Sequence, residues 1–297
     1  IKVHSPDIIC LQAQPEEGNS ANTSNQAKKQ YMEIGKLNDK YLIEGYKGYI
    51  IANSEPNNIK DAETIMFTKI KPIKVSRTDL DEEEEKASQA SNGKNDSSIM
   101  TIEFTNFFIV NAIAPGQTEN EEVVNKWFEK LQKLLNDLDS QKTTILCGDF
   151  KVAHQALDIN TSNNNEFKYY EDSKNQKRFS DFLSDTYADI FRKLHPDKQQ
   201  FSYFASSSGK PGENKSKCRT DYFIAPNESI ETKIVVDCSI ANIDGLKHSP
   251  VVLLLDREKL ISTVHDLLVN SLPLDERRNE IFYPFGNIPD DKDESKN

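Results

Sequence analysis

Apolar residues along this chain recur with two different periods. Asp7 to Leu11 and Ile145 to Cys147 are short, nearly continuous apolar runs bounded by polar or turn residues, which predicts strands buried on both faces. Met100 to Phe104 and Phe107 to Ala112 read as the arms of a hairpin, with Thr105-Asn106 at its turn. The period then changes. Val124, Trp127, Phe128, Leu131, Leu134, Leu135 and Leu138 return every three or four residues, the stripe of an amphipathic helix with Trp127 on its core face. Thr118 and Glu121 offer a capping box at its start. A second helical stretch begins near Lys177, placing Phe179, Phe182 and Leu183 on one face and continuing through Tyr187, Ile190, Phe191 and Leu194 until Pro196 stops it. Strands return at Asp221 to Ala225, Lys233 to Asp237 and Val251 to Leu255.

Three segments carry too little apolar surface to join a core. Asp79 to Ser98 contains four consecutive glutamates followed by Ser, Gly, Asn and Lys, a composition that predicts a solvated, disordered loop. Asn160 to Asn165 and Ser206 to Lys217 read the same way, and no internal repeat is present. Beyond Asp256 the pattern is helical again: Leu260, Ile261, Val264, Leu267, Leu268 and Leu272 mark an amphipathic helix. A polar tail follows, interrupted by Ile281-Phe282-Tyr283-Pro284-Phe285, which reads either as a clamp on its own domain or as a segment that docks on a protein partner. The expected organisation is one domain over residues 1–256 and an extension over 257–297.

Composition narrows the function classes. The chain has 297 residues, 36% of them hydrophobic, enough for one large domain or two small ones. A formal charge of −11 repels nucleic acid unless a local basic face overrides it. Cys10, Cys147, Cys218 and Cys238 form no CxxC pair and read as reduced thiols packed as small hydrophobes, which predicts an intracellular protein. No apolar run is long enough to span a bilayer, and no signal-peptide pattern opens the chain, which begins at Ile1. Upstream sequence is therefore expected to be missing or cleaved, and nuclear and mitochondrial locations stay equally open. His4, His154, His195 and His265 show no metal-ligand spacing.

The chemistry concentrates at Ile145-Leu146-Cys147-Gly148-Asp149-Phe150-Lys151-Val152-Ala153-His154, where an apolar strand delivers a carboxylate at its end. Together with Pro6-Asp7-Ile8-Ile9-Cys10-Leu11-Gln12, Leu157-Asp158-Ile159, Arg219-Thr220-Asp221-Tyr222-Phe223 and His248-Ser249-Pro250-Val251, this run resembles exonuclease III-type apurinic/apyrimidinic (AP) endonucleases of the endonuclease/exonuclease/phosphatase superfamily. The likeness extends from Ile1 to about Asp256. It implies a four-layered α/β sandwich, two facing mixed sheets flanked by helices, with the active site at the strand ends. It also implies that the family's first strand, which ends in an asparagine, falls before Ile1 and is absent from this sequence.

Several positions depart from the family pattern. Ala13 stands where relatives have a Mg²⁺-binding glutamate, Lys151 where they have asparagine, and Lys247 where an aspartate precedes the histidine. Ile113 falls at a phosphate-contacting tyrosine, and Gly116 replaces an asparagine. Glu16 and Glu17 supply a displaced carboxylate only if the turn at Pro15 aims one inward. The resemblance leaves a remnant set: Asp149, which in the family activates water, and Asp221 with His248, in which the aspartate orients the imidazole toward the scissile phosphate. Two like charges about 4 Å apart repel by roughly 4 kcal/mol at an effective dielectric near 20, so added lysines are expected to reject Mg²⁺. No cofactor is expected on this reading, and Lys247 or Lys151 is expected to pair with Asp149 in the metal's place.

Plainer roles stay open for each of these residues. Asp149 can cap the turn after its strand, Asp221 and His248 can be a hydrogen-bonded pair kept for folding, and Lys151 and Lys247 can face solvent or bind a phosphate as point charges. Two functions follow. One is a non-catalytic subunit, or a protein that binds nucleic acid or phosphate without cutting. The other is a working Mg²⁺-dependent AP endonuclease with a rearranged site.

Overall fold

The computed structural model describes residues 5–12, 30–33, 43–52, 62–78, 98–116, 120–161, 167–204, 216–241, 243 and 246–261. Its centre is a mixed six-stranded sheet. The strands are β5 (Lys74–Arg77), β6 (Ser98–Glu103), β7 (Phe107–Ile113), β8 (Thr143–Asp149), β10 (Tyr187–Asp189) and β13 (Asp221–Pro226), in the order β10-β13-β8-β7-β6-β5. Only β7 and β8 run parallel, because the long helix α1 (Glu121–Asp139) carries the chain back between them. Every residue of β7 is buried, as a strand covered on both faces requires. The predicted hairpin is present as β6 and β7, closed by the Phe104 N–H donating to the Phe107 carbonyl at 2.9 Å.

A four-stranded antiparallel sheet faces the first. It is built from β1 (Ile8–Gln12), β2 (Gln30–Glu33), β3 (Lys47–Ala52) and β4 (Ala62–Thr68) in the order β1-β4-β3-β2. β1 packs on β7 and β8. A two-stranded sheet, β14 (Val235–Ile240) with β15 (Val251–Leu255), continues this layer against β13. A small three-stranded sheet is formed by β11 (Tyr203–Phe204), β12 (Lys217–Cys218) and β9 (Ile159–Asn160), in that order. Ile51, Met66, Met100, Ile109, Ile145 and Cys147 fill the space between the layers. The other face of the central sheet is covered by α1 and by α2 (Ser173–Leu183), with Trp127, Leu131, Phe150, Phe179 and Phe182 between them. These layers establish the α/β sandwich.

Two local expectations are corrected. The cap of α1 is Asn120, whose side chain accepts the Glu122 N–H at 3.0 Å, whereas Thr118 lies outside the described residues. The second helix does not run to Pro196. It ends at Ser184, which turns the chain with φ 46°, and Tyr187–Asp189 enters the sheet as β10 before the short α3 (Ile190–Leu194). The acidic segment at 79–97, most of the Asn-rich run and residues 262–297 lie outside the described residues; the chain after Asp256 turns helical, and Leu260 joins the inter-sheet core. All four cysteines are free thiols, Cys10 half-buried and the others buried.

Candidate functional site

The three remnant residues converge. Asp221 sits opposite Asp149 in the β13–β8 register, so both carboxylates leave the same end of the central sheet. The Asp149 backbone is held on both sides, by the Ala114 N–H donating to its carbonyl at 2.9 Å and by the Phe150 N–H donating to the Thr220 carbonyl at 2.9 Å. Gly148 makes this possible. A Cβ there would lie 1.9 Å from the Ala112 carbonyl oxygen on the neighbouring strand. His248 arrives from the segment before β15 and donates from Nδ1 to Asp221 Oδ2 at 2.9 Å, with Oδ1 at 3.2 Å. Its imidazole packs against Tyr203 with the rings tilted by 44° and their centroids 4.7 Å apart, and remains 45% exposed.

Asp149 is buried, and its Oδ1 accepts the backbone N–H of Lys151 at 3.0 Å, a turn-capping contact. Burial, then the nearby charge of Asp221, pushes its carboxyl up to about 6, against the opposing charges of Lys151 and His248. For His248, burial pulls the imidazole down, but the hydrogen bond and charge of Asp221 and the charge of Asp149 outweigh it, so it stays protonated above the usual histidine range.

The altered positions divide. Lys151 is buried, with 6% of its surface exposed, in a left-handed conformation of φ 53° that asparagine adopts more readily than lysine. It lines a small crevice with Ala114, Pro115, Tyr169 and Arg178. The expected side-chain ion pair does not form: no ammonium of Lys151 or Lys247 lies within 4 Å of the Asp149 carboxylate. The reason is geometric, since the turn spends the Asp149 oxygen on the Lys151 backbone and leaves the ammonium to act through space. Lys247 is exposed, its carbonyl accepting the Phe204 N–H at 2.8 Å. Ile113 is buried beside Asp149 in the β7–β8 register, and Gly116 follows at the rim. Ala13, Glu16, Glu17, His4 and His265 lie outside the described residues. His195 meets the Cys238 carbonyl, and His154 Nε2 meets the Ser180 hydroxyl while its Nδ1 is buried without a hydrogen-bond partner among the described residues.

The structure adds residues to which the sequence gave no role. Ser202 donates to Asp221 Oδ2 at 2.7 Å. Asn111, the lone polar residue of the apolar strand Phe107–Ile113, accepts from Gln12 Nε2 and donates to the Leu11 and Ile65 carbonyls, pinning the end of β1. Asp158 and Arg219, present in the sequence blocks, form a buried network with Asp189 and Arg192. Arg219 donates to both carboxylates at 2.6–2.9 Å and lies 4.5 Å from the Tyr222 ring centroid. This network locks the Asp158 loop to the segment that delivers Asp221.

Among the described residues the donor set does not fit Mg²⁺. That ion takes oxygen ligands in near-octahedral geometry. Here Asp221 offers both oxygens to His248 and Ser202, Asp149 accepts from Lys151, and a buried ammonium stands beside them. Among the described residues no group of three or more His, Cys, Asp or Glu side chains converges on a cation position.

No protein-family model matches the chain. It is 31% identical over 163 residues to an exodeoxyribonuclease of Bacillus subtilis, covering 53% of this chain and 64% of that one. It is 24% identical over 267 residues to a DNA-(apurinic or apyrimidinic site) endonuclease of Dictyostelium discoideum, covering 86% and 64%. The chain thus spans a little under two thirds of the length of either relative. Its fold matches the catalytic domain of APE2 from Xenopus laevis with a TM-score of 0.60 at 18% identity, over 84% of this chain and 83% of that one.

Proposed function

This chain belongs to the exonuclease III type of the endonuclease/exonuclease/phosphatase superfamily, and from that premise we propose that it is an AP endonuclease-like protein that binds nucleic-acid phosphate without metal-dependent cleavage. The observation that carries this reading is Lys151, a buried cation set beside Asp149 where the chemistry would call for a metal. A lysine binds phosphate as a point charge and needs no ion to do so. His248, held above the usual histidine range, adds a second positive group near Asp149. On this reading Asp221 and Ser202 hold the imidazole, and Asp149 shapes the turn that carries Lys151. The net charge of −11 confines binding to this local positive surface.

A working hydrolase is the second reading. Asp149, Asp221 and His248 do meet at one strand end, and a carboxyl pushed up to about 6 is suited to acid–base work near neutral pH. Residues 257–297 serve in either case as a docking segment for a protein partner. A compartment that holds DNA, nucleus or mitochondrion, suits both readings, and among the described residues no helix is long and apolar enough to cross a membrane.

Fluorescence anisotropy of a labelled duplex tests the first reading. Affinity is expected to be the same in excess chelator and in Mg²⁺, to fall with rising salt, and to drop several-fold in Lys151→Met. Binding that requires Mg²⁺, or that is indifferent to Lys151→Met, overturns it.

A further inference from the structure

Ser202 belongs to neither quoted sequence block, yet it joins the two that carry Asp221 and His248. It is fully buried. Its hydroxyl donates to Asp221 Oδ2 at 2.7 Å and accepts the backbone N–H groups of Thr220 and Asp221, each at 3.1 Å. Its backbone N–H donates to the Cys218 carbonyl at 3.0 Å, and its carbonyl accepts the Ser249 N–H at 2.7 Å. The next residue, Tyr203, bridges His248 through the backbone and packs its tilted ring against the imidazole. Residues 202 and 203 therefore form a cross-piece between the end of β13 and the segment before β15. Among the described residues one other side chain besides His248 reaches the same carboxylate oxygen, Thr220 Oγ1 at 3.3 Å.

We propose that Ser202 is a positioning residue, fixing the Asp221 carboxylate so that His248 is held with its Nδ1–H toward Asp221 and its Nε2 toward the mouth of the site. A carboxylate whose Oδ2 accepts from both Ser202 and His248 cannot rotate without giving up the Ser202 bond, and a buried hydroxyl without its acceptor is costly. The imidazole tautomer is set by the hydrogen bond its other nitrogen makes. Ser202 thereby determines which nitrogen His248 presents outward. The charged groups that act on that ring are Asp221, Asp149 and Lys247, and none is altered by changing Ser202. The inference rests on the site reading above but not on whether the site cuts.

Nitrogen-15 spectra of the histidine rings test it directly, recorded on the full chain without nucleic acid or metal, above the His248 titration. In the unaltered protein the Nδ1–H form of neutral His248 is expected to dominate. In Ser202→Ala the ratio of the two neutral forms is expected to shift several-fold toward Nε2–H, and Ser202→Thr, which keeps the hydroxyl, is expected to restore it. Ser202→Cys, similar in size with a weak donor, serves as the second variant if Ser202→Ala does not fold. An unchanged ratio in a folded variant lacking the hydroxyl, or a shift that threonine fails to reverse, overturns the proposal. A loss of thermal stability alone leaves the ratio unmoved and marks Ser202 as merely structural. Duplex cleavage would defeat the binding reading and leave this result untouched.

Discussion

At the scale of single residues, Asp149 and Lys151 set the electrostatics of the site. The folded-state value of Asp149, about 6, lies above the ordinary carboxylate range near 3.9. A group raised in this way contributes stability that is fully present below about pH 4 and is lost as pH rises through about 6. Asp149→Asn keeps an oxygen for the Lys151 N–H and removes the charge. It should therefore match the unaltered protein near pH 4 and exceed it near pH 8 by about 1–3 kcal/mol in urea unfolding. Equal stability at pH 8 contradicts this account. Lys151→Met keeps the buried stem and removes the ammonium that holds the Asp149 carboxyl down, so carbonyl carbon-13 titration should place Asp149 above 6. Asp149, Asp221 and His248 were legible in the sequence because each sits in a distinctive block. Ser202 was not, since Phe201-Ser202-Tyr203 has no pattern of its own and its role depends on two segments meeting in space. Asn111 left a trace, a polar residue in an otherwise apolar strand. The Lys151–Asp149 ion pair was expected from proximity in sequence, and the left-handed turn defeats it by pairing the carboxylate with backbone instead.

At the scale of elements, close strand approach and helix capping dominate. Gly148 lies against Ala112 where β7 and β8 run parallel, and a methyl group there has no space short of separating the strands. Gly148→Ala is expected to destabilise the fold by more than about 3 kcal/mol, the range of severe packing defects, and a variant of near-normal thermal midpoint would refute that. Asn120→Ala removes one cap and should cost about 1 kcal/mol in chemical unfolding. β1, the β6–β7 hairpin, β8 and α1 were readable from the apolar pattern, because β7 is apolar but for Asn111 and α1 carries a full stripe, whereas β2, β3, β4 and β5 were not marked by it. The break after α2 was not. Tyr187, Ile190 and Leu194 continue the helical phase of Leu183 by coincidence, while Ser184-Asp185-Thr186, weak helix formers, end it. Thr118 suggested a cap because Glu121 stands three residues on, but Asn120, which has Val123 at that spacing, caps the helix start through the Glu122 N–H.

At the scale of the whole molecule, the buried Arg219 network fastens the loop of Asp158 to the strand that delivers Asp221. Burial alone would raise the Asp158 carboxyl, yet the charges and hydrogen bonds of Arg219 and Arg192 hold it below its ordinary value. Its contribution is therefore present above about pH 3.9 and lost as pH falls through the folded value. Asp149 works in the opposite sense, so these two groups together place the stability maximum near about pH 4, with a decline toward about pH 6. Arg219→Met leaves buried Asp189 without its counter-charge and Asp158 with Arg192 alone, and should cost about 3–5 kcal/mol. The family and its layered sandwich were legible in the order of the sequence blocks, whereas the consequence of the altered positions depends on where their side chains go. The most direct test of that consequence is incubation of the chain with a duplex carrying one abasic site in excess Mg²⁺ or Mn²⁺. Intact duplex is predicted for the unaltered protein, with cleavage gained when Ala13→Glu, Lys151→Asn and Lys247→Asp are combined. Cleavage by the unaltered protein, abolished in Asp149→Ala, would contradict the account and establish a working hydrolase.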